Sequence, residues 1–271
     1  MKLPRPPDWL FYLGVVAALT LAAVGIPLSE RGARAPTIPA GQPLAPASLF
    51  DPAIWVSAPP PGPGAGTAFS VADRGVWLTA RHVVEGCGRT VIVTAPGHGV
   101  AATVRLTPGR ETAILFTRGG APALPIAPKT VLKRGERAYD PGFPRERPGE
   151  VASELLRRAT LLVGWRGLRA EPVLTFAETG RSPPGRGSAA GISGAPVLDR
   201  EGRVLGVTVA ENPRRRRLYT TTPASLRAAL AAAGVTPSDA AGEALTQGSW
   251  RDVSDDLRGA LSVVEVECLA R

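Results

Sequence analysis

Short apolar segments separated by turn residues run through most of the chain after residue 66. Few stretches show the 3.6-residue period of a long helix, and 31 glycines and 28 prolines are many for a helical bundle of 271 residues. This pattern predicts an all-β fold of short strands. In the first half of the region we expect strands at Thr67–Val71, Val76–Ala80, Thr90–Thr94, Ala101–Leu106 and Thr112–Phe116.

A second set of apolar segments follows a loop-like region at residues 129–150. These segments predict strands at Leu155–Val163, Val173–Phe176, Ala195–Leu198, Val204–Val209 and Leu218–Thr221. A helix is expected next, because Thr222 can cap it, Pro223 suits its first position and Gly234 ends it. The alternation in Leu261–Leu269, with Val264 on the buried face, predicts an edge strand.

Glycines closely flank a serine in the segment Gly191–Pro196, which reads GISGAP. A serine hydroxyl at this place can act as a nucleophile. The flanking glycines let the backbone approach a substrate carbonyl, so the amides of Gly191 and Ser193 can face one developing oxyanion. Small residues with a proline are also typical of any tight loop, so this segment alone does not establish a catalytic site.

The chain has two histidines, and their surroundings differ. His82 ends an apolar run that starts at Val76, as expected of a strand that delivers a catalytic base. His98 lies in a Pro-Gly-His-Gly turn, which offers it no partner and predicts a surface residue. His82 is therefore the candidate base for Ser193.

Three segments in this order, GTAFSV at 66–71, WLTARHVV at 77–84 and GISGAPV at 191–197, resemble the trypsin-like (chymotrypsin-fold) serine proteases. The bacterial HtrA-like branch is the most similar. The resemblance implies two six-stranded antiparallel β-barrels with a C-terminal helix. It also implies that His82 is the general base, Ser193 the nucleophile, and the amides of Gly191 and Ser193 the oxyanion hole.

The family usually has Asp-x-Ala-x-Leu about thirty residues after the histidine, and this chain has Glu111-Thr112-Ala113-Ile114-Leu115 there. The resemblance implies that Glu111 completes the triad, provided that a backbone or rotamer shift accommodates its extra methylene. Digestive members carry an aspartate where this chain has Ile192, so their route of zymogen activation is not available. The chain also has Ala195 in place of a glycine.

The resemblance also indicates where a substrate binds. The floor of the specificity pocket lies six residues before the nucleophile, at Gly187, which predicts a preference for small or apolar side chains because no carboxylate is present. The strand residues Val207, Thr208 and Val209 are expected to hydrogen-bond to the substrate backbone.

Residues Trp9–Leu28 form an uncharged apolar run of twenty residues, long enough to cross a bilayer once. Lys2 and Arg5 precede it, whereas Arg31 and Arg34 follow beyond Glu30, so a slight charge bias favours a cytoplasmic N-terminus. We expect an uncleaved signal-anchor with the remaining chain outside the cytoplasm, on the periplasmic side in a bacterium. The alternative is a signal peptide cleaved after Ala33-Arg34-Ala35, which leaves a secreted protein.

The expected domain organisation is a cytoplasmic N-terminus (1–8), a transmembrane helix (9–28), a proline-rich tether (29–47) and a protease domain (48–271) whose barrels divide near 129–150. The apolar patch Ala53–Val56 is expected to dock as the first strand. Only 37 residues follow Gly234, so we expect no PDZ domain.

Neither metals nor nucleic acids are expected as ligands. Cys87 and Cys268 are too few for a metal cage; they can form one disulfide in an oxidising compartment or remain as two buried thiols. The net charge of +9 is compatible with nucleic-acid binding, but the one arginine run, Arg214–Arg217, lacks aromatic neighbours. Export would also separate the domain from nucleic acid.

The sequence thus favours an exported, membrane-anchored serine endopeptidase that acts on proteins or peptides without a cofactor. The alternative is a pseudoprotease that binds proteins through the same fold, a hypothesis motivated by the departure at Glu111. The oligomeric state has no signal in the sequence.

Overall fold

A computed structural model of the chain describes residues 41–57, 62–127, 131–164, 168–238 and 240–270. The predicted membrane segment, Trp9–Leu28, and residues 29–40 of the tether lie outside these ranges. Within them, no helix combines the length and apolar character needed to span a bilayer. Strands are the main regular structure of the described residues, as the succession of short apolar segments predicts.

The strands are β1 (Ala53–Ser57), β2 (Gly64–Ala72), β3 (Val76–Ala80), β4 (Arg89–Ala95), β5 (His98–Leu106), β6 (Thr112–Phe116), β7 (Arg137–Gly142), β8 (Gly149–Gly164), β9 (Leu168–Ser182), β10 (Pro196–Leu198), β11 (Val204–Asn212), β12 (Arg217–Thr221) and β13 (Val263–Leu269). The α-helices are α1 (Arg81–Val84), α2 (Pro223–Ala232) and α3 (Trp250–Gly259), and a short 3-10 helix covers Pro213–Arg215.

Six strands form a closed barrel in the order β13-β2-β3-β6-β5-β4. The prediction of an edge strand near the C-terminus is wrong in one respect. Strand β13 pairs with both β2 and β4, so it closes the barrel and does not lie at an edge. Its alternation follows the expected pattern, with Val264, Val266 and Cys268 buried. The buried face was visible in the sequence, whereas the two pairing partners lie far away along the chain.

In the second sheet the strands follow the order β1-β8-β7-β10-β11-β12-β9. The last strand, β9, also pairs with β8, the second strand in this order. The expected two-barrel architecture is thus confirmed in part, as one closed six-stranded barrel and a second sheet. The β8–β9 hairpin is much longer than expected. The apolar patch at Ala53 does form a strand, β1, but it pairs in parallel with β8.

The predicted helix after Thr222 is present as α2, and the Thr222 hydroxyl accepts a hydrogen bond from the Ser225 amide at 3.2 Å. A further helix, α3, was not predicted. Its Arg258 docks on the second sheet, donating to a Glu150 carboxylate oxygen at 2.8 Å and to the Gly149 carbonyl at 3.0 Å. This ion pair fixes α3 just before β13 enters the barrel.

A disulfide joins Cys87, which follows α1, to Cys268 on β13. Since α1 carries His82, the bridge ties the C-terminal strand to the segment that presents the candidate base. The two cysteines are 181 residues apart, so the bridge closes a very long loop of the unfolded chain. Closing a long loop removes much of the conformational entropy of the unfolded state.

Replacing both cysteines, Cys87→Ala with Cys268→Ala, should lower the free energy of unfolding by about 3 to 5 kcal/mol, because the unfolded chain regains this loop entropy. Urea denaturation of the two proteins measures the difference. A reducing agent should bring the wild type down to the midpoint of the double variant and leave the variant unchanged. Equal midpoints, together with two titratable thiols in the wild type, would contradict the bridge.

Candidate active site

Ser193, His82 and Glu111 line one cavity of about 360 Å³. Its walls come from both halves of the fold. The barrel contributes Gly64, Ala65 and Val83, and the second sheet contributes Leu161 and Val163 of β8 and Val209, Ala210 and Glu211 of β11. The three residues predicted as a triad therefore share one cavity, although they are separated by up to 111 positions in the sequence.

The loop that carries Ser193 is held in a shape that only glycine permits. Gly191 and Gly194 have φ angles of +97° and +91°, in the left-handed region. A Cβ on Gly194 would collide with the Thr67 carbonyl oxygen, and one on Gly191 with the Phe143 carbonyl oxygen. The loop is also tied to the barrel, because the Thr67 amide donates to the Ser193 carbonyl at 2.8 Å.

The amides of Gly191 and Ser193 differ from the other amides in this loop, because they donate to no residue that the structure describes. The three others are engaged: Ile192 donates to the Ala189 carbonyl at 2.9 Å, Gly194 to Thr208 at 2.7 Å and Ala195 to Ile192 at 2.9 Å. The two open amides are the pair predicted to form the oxyanion hole. This arrangement can bind a developing negative charge next to Ser193.

His82 lies in α1, directly after β3, and is partly buried. Burial lowers the pKa of its imidazole below the usual value. The carboxylates of Glu111 and Glu85 oppose this shift, whereas the Arg169 guanidinium adds to it. A lowered pKa keeps the ring neutral at neutral pH, as a general base must be. Within the described ranges, no hydrogen bond joins His82 to Ser193 or to Glu111.

Glu111 is 2% exposed and belongs to a buried ion cluster. Its Oε1 accepts from Arg169 Nε at 2.7 Å, and its backbone amide donates to Glu171 Oε2 at 2.6 Å. Arg169 Nη2 also lies 3.6 Å from Glu85 Oε2. Two charged side chains of β9, Arg169 and Glu171, thus connect the second sheet to Glu111, the candidate third member of the triad.

Arg169 and Glu171 were not identified from the sequence. They lie 58 and 60 positions from Glu111, and charged residues at a strand start usually face solvent. Burial raises the pKa of the Glu171 carboxyl, and the hydrogen bond from the Glu111 amide opposes that shift. No local pattern in the sequence could have marked either residue.

The residues predicted to bind substrate differ in their position relative to this cavity. Gly187 is not among the residues that line the cavity, and its carbonyl accepts from Arg181 Nη1 at 3.2 Å. Val207 and Thr208 are fully buried and their amides donate to Thr221 Oγ1 and to the Ala195 carbonyl. Of the predicted strand segment only Val209 reaches the cavity, followed by Ala210 and Glu211.

Asp140 is a buried acid beneath the nucleophile loop. Its Oδ1 accepts from Thr208 Oγ1 at 2.7 Å and its Oδ2 from Ser153 Oγ at 3.4 Å. Burial raises the pKa of Asp140 to about 7, against the lowering effect of these two hydroxyls. The backbone of Thr208 bonds to both Gly194 and Ala195, so Asp140 supports the strand that holds the loop.

The raised pKa of Asp140 predicts a dependence of stability on pH. An aspartate in the unfolded chain titrates near 3.9, so the folded state binds this proton more tightly and loses stability as the pH rises from about 4 to about 7. Asp140→Asn has no such proton to lose. The variant should exceed the wild type by up to about 4 kcal/mol at pH 8 and match it below about pH 4.

Denaturation of both proteins at pH 4, 6 and 8 measures this effect. Parallel stability curves for wild type and Asp140→Asn across that range would contradict it, because they would show that Asp140 is charged in the fold already at low pH.

Comparisons with known proteins identify the family and the fold. Residues 66–207 match the family model of the trypsin-like peptidase domain. The inactive form of the Rv3671c protease from M. tuberculosis is 24% identical, with a TM-score of 0.51 over 63% of this chain and 84% of that chain. Its active form is 22% identical, with a TM-score of 0.51 over 75% and 99%. No curated protein matches the chain.

At these identities the solved structures show a shared fold. The family model goes further, because it spans more than half of the chain and includes both His82 and Ser193. The chain belongs to the trypsin-like peptidases and is a serine endopeptidase.

Proposed function

We propose that this protein is an exported, membrane-anchored endopeptidase in which Ser193 attacks the peptide bond and His82 is the general base. The observation that carries the proposal is the shared cavity: Ser193, His82 and two open backbone amides lie around one space that a peptide can enter. A nucleophile, a base and oxyanion donors are the parts that acyl transfer requires.

The proposed reaction has two halves. Ser193 Oγ attacks the substrate carbonyl carbon while His82 accepts the hydroxyl proton, and the amides of Gly191 and Ser193 donate to the oxyanion. His82 then gives the proton to the leaving amine, which departs and leaves an acyl-enzyme. Water, deprotonated by His82, releases the acyl group and restores Ser193.

Glu111 is proposed as the third member of a Ser-His-Glu triad. Its carboxylate acts on the His82 imidazole electrostatically and would stabilise the imidazolium that forms during catalysis. Hydrogen bonds of catalytic groups are often long before substrate binds, so the absence of a direct bond between these described residues does not remove Glu111 from the proposed triad.

The proposed location is outside the cytoplasm, with Trp9–Leu28 as the anchor. The uncharged apolar run supports the anchor, and the Cys87–Cys268 disulfide is typical of an oxidising compartment. A signal peptide cleaved after Ala35 would give a secreted enzyme with the same active site.

Digestion of an unfolded protein such as reduced casein by the full chain tests the proposed activity. We expect peptide products that disappear after treatment with a fluorophosphonate. If the folded protein yields no products and no covalent adduct, the endopeptidase proposal fails.

A pseudoprotease is the second candidate, and two observations favour it. Glu111 is paired with Arg169, and no hydrogen bond joins His82 to Ser193 among the described residues. A binding protein would retain casein or a peptide reversibly and form no adduct, so the same two measurements distinguish the candidates.

A further inference from the structure

The catalytic cavity has two carboxylates in its lining, and they differ in their partners. Glu111 forms a 2.7 Å ion pair with Arg169. Glu211, at the end of β11, has no cation within ion-pair distance among the described residues. Its oxygens accept instead from two uncharged donors, the Ser188 hydroxyl and the Ala189 amide, the latter at 2.9 Å.

These two donors fix where the carboxylate lies. Ser188 and Ala189 directly precede Ala190 and Gly191, which form one wall of the cavity, while Glu211 continues a second wall from Val209. The carboxylate therefore joins the two walls beside the candidate oxyanion amide of Gly191. Each carboxylate oxygen has two lone pairs, so one neutral donor on each leaves capacity for a further donor.

Arg181 is the cation that influences Glu211 electrostatically, but its guanidinium is already engaged. Its Nε and Nη2 both donate to Glu178, and Nη1 donates to the Gly187 carbonyl. Arg181 is therefore committed to Glu178, and the carboxylate of Glu211, a residue that lines the cavity, has no direct counter-ion among the described residues.

We propose that Glu211 determines specificity and that the enzyme cleaves after lysine or arginine, an inference that rests on the proposed endopeptidase function. A substrate carbonyl on the amides of Gly191 and Ser193 places the side chain of the same residue between the walls that Glu211 joins. The aliphatic stem of lysine or arginine would pack on Val209 and Ala210, and its cation would pair with the carboxylate. This replaces the preference for small or apolar residues inferred from Gly187.

Fluorogenic peptides that differ only at the residue before the scissile bond test the proposal. The wild type should cleave arginine and lysine peptides with a kcat/KM at least about 10-fold above that for citrulline and methionine, their neutral counterparts of similar shape. Glu211→Gln should reduce this ratio to about one. The ratio in the wild type should fall as salt is added.

Glu201→Gln is the matched control, because Glu201 is an exposed glutamate on the turn before β11 whose carboxylate pairs with Arg203 at 3.0 Å. It should keep the wild-type preference. Equal cleavage of charged and neutral peptides, or a preference that survives in Glu211→Gln, would overturn the specificity proposal while leaving the endopeptidase proposal intact.

Binding of the fluorescent cation p-aminobenzamidine gives a readout that does not need turnover. The wild type and Glu201→Gln should bind it, and Glu211→Gln should bind it at least about 10-fold more weakly. If no peptide is cleaved but this binding depends on Glu211, the endopeptidase function fails and the cation site stands. Binding that is equal in all three proteins would overturn the site.

Discussion

Replacing Ser193 by alanine is expected to lower the rate of peptide hydrolysis by about 10⁶-fold, the loss typical of removing the nucleophile of a serine protease. The fold should be unaffected, because the Ser193 hydroxyl has no hydrogen-bond partner among the described residues and its carbonyl, which accepts from Thr67, remains. Steady-state kinetics and thermal unfolding of the same preparations measure the two quantities.

Ser238→Ala is the control, because Ser238 is an exposed serine outside the cavity. Its rate should equal that of the wild type. A Ser193→Ala enzyme that retains activity within about 10-fold of the wild type would mean that another group is the nucleophile.

Glu111→Gln has the second largest expected effect, a loss of about 10² to 10⁴-fold in kcat/KM, because a neutral amide does not stabilise the imidazolium of His82. The substitution also leaves Arg169, a largely buried cation, without its 2.7 Å partner, so stability should fall as well. Since Glu111 raises the pKa of His82, its loss should shift the acid limb of the kcat/KM profile to lower pH.

Arg169→Met separates the two effects of Glu111. In the double variant Glu111→Gln with Arg169→Met, the buried cation is gone, so stability should recover while the rate stays low. Glu111→Asp should be mild. A Glu111→Gln enzyme with an unchanged rate, pH profile and unfolding midpoint would remove Glu111 from the site and leave Ser193 and His82 standing.

The sequence allowed most strands and one helix to be predicted because their signals are local. The capped start of α2 and the alternation of β13 depend on neighbours within a few residues. The place of β13 inside the barrel and the length of the β8–β9 hairpin depend on pairing across long separations, which periodicity does not encode. Helix α3 was not predicted; it buries Trp250 and Val253, and the Arg258–Glu150 ion pair that also docks it joins residues 108 positions apart, a contact that no local pattern indicates.

The same division applies to the site. Ser193 and His82 were predicted from local motifs and Glu111 from its spacing to His82, and all three line one cavity. Arg169 and Glu211 were missed because a charged residue in a strand is normally expected at the surface, and only the folded chain reveals what surrounds it. Gly187, the other residue predicted for substrate binding, is not among the residues that line the cavity.

Mapping the adduct of a fluorophosphonate by mass spectrometry tests the central claim most directly, because only a serine activated by a base and an oxyanion hole reacts rapidly. The predicted result is one adduct per folded chain, located on Ser193 and formed at least about 10²-fold more slowly in His82→Ala. An adduct on a different residue, or equal labelling of Ser193 with and without His82, would contradict the account.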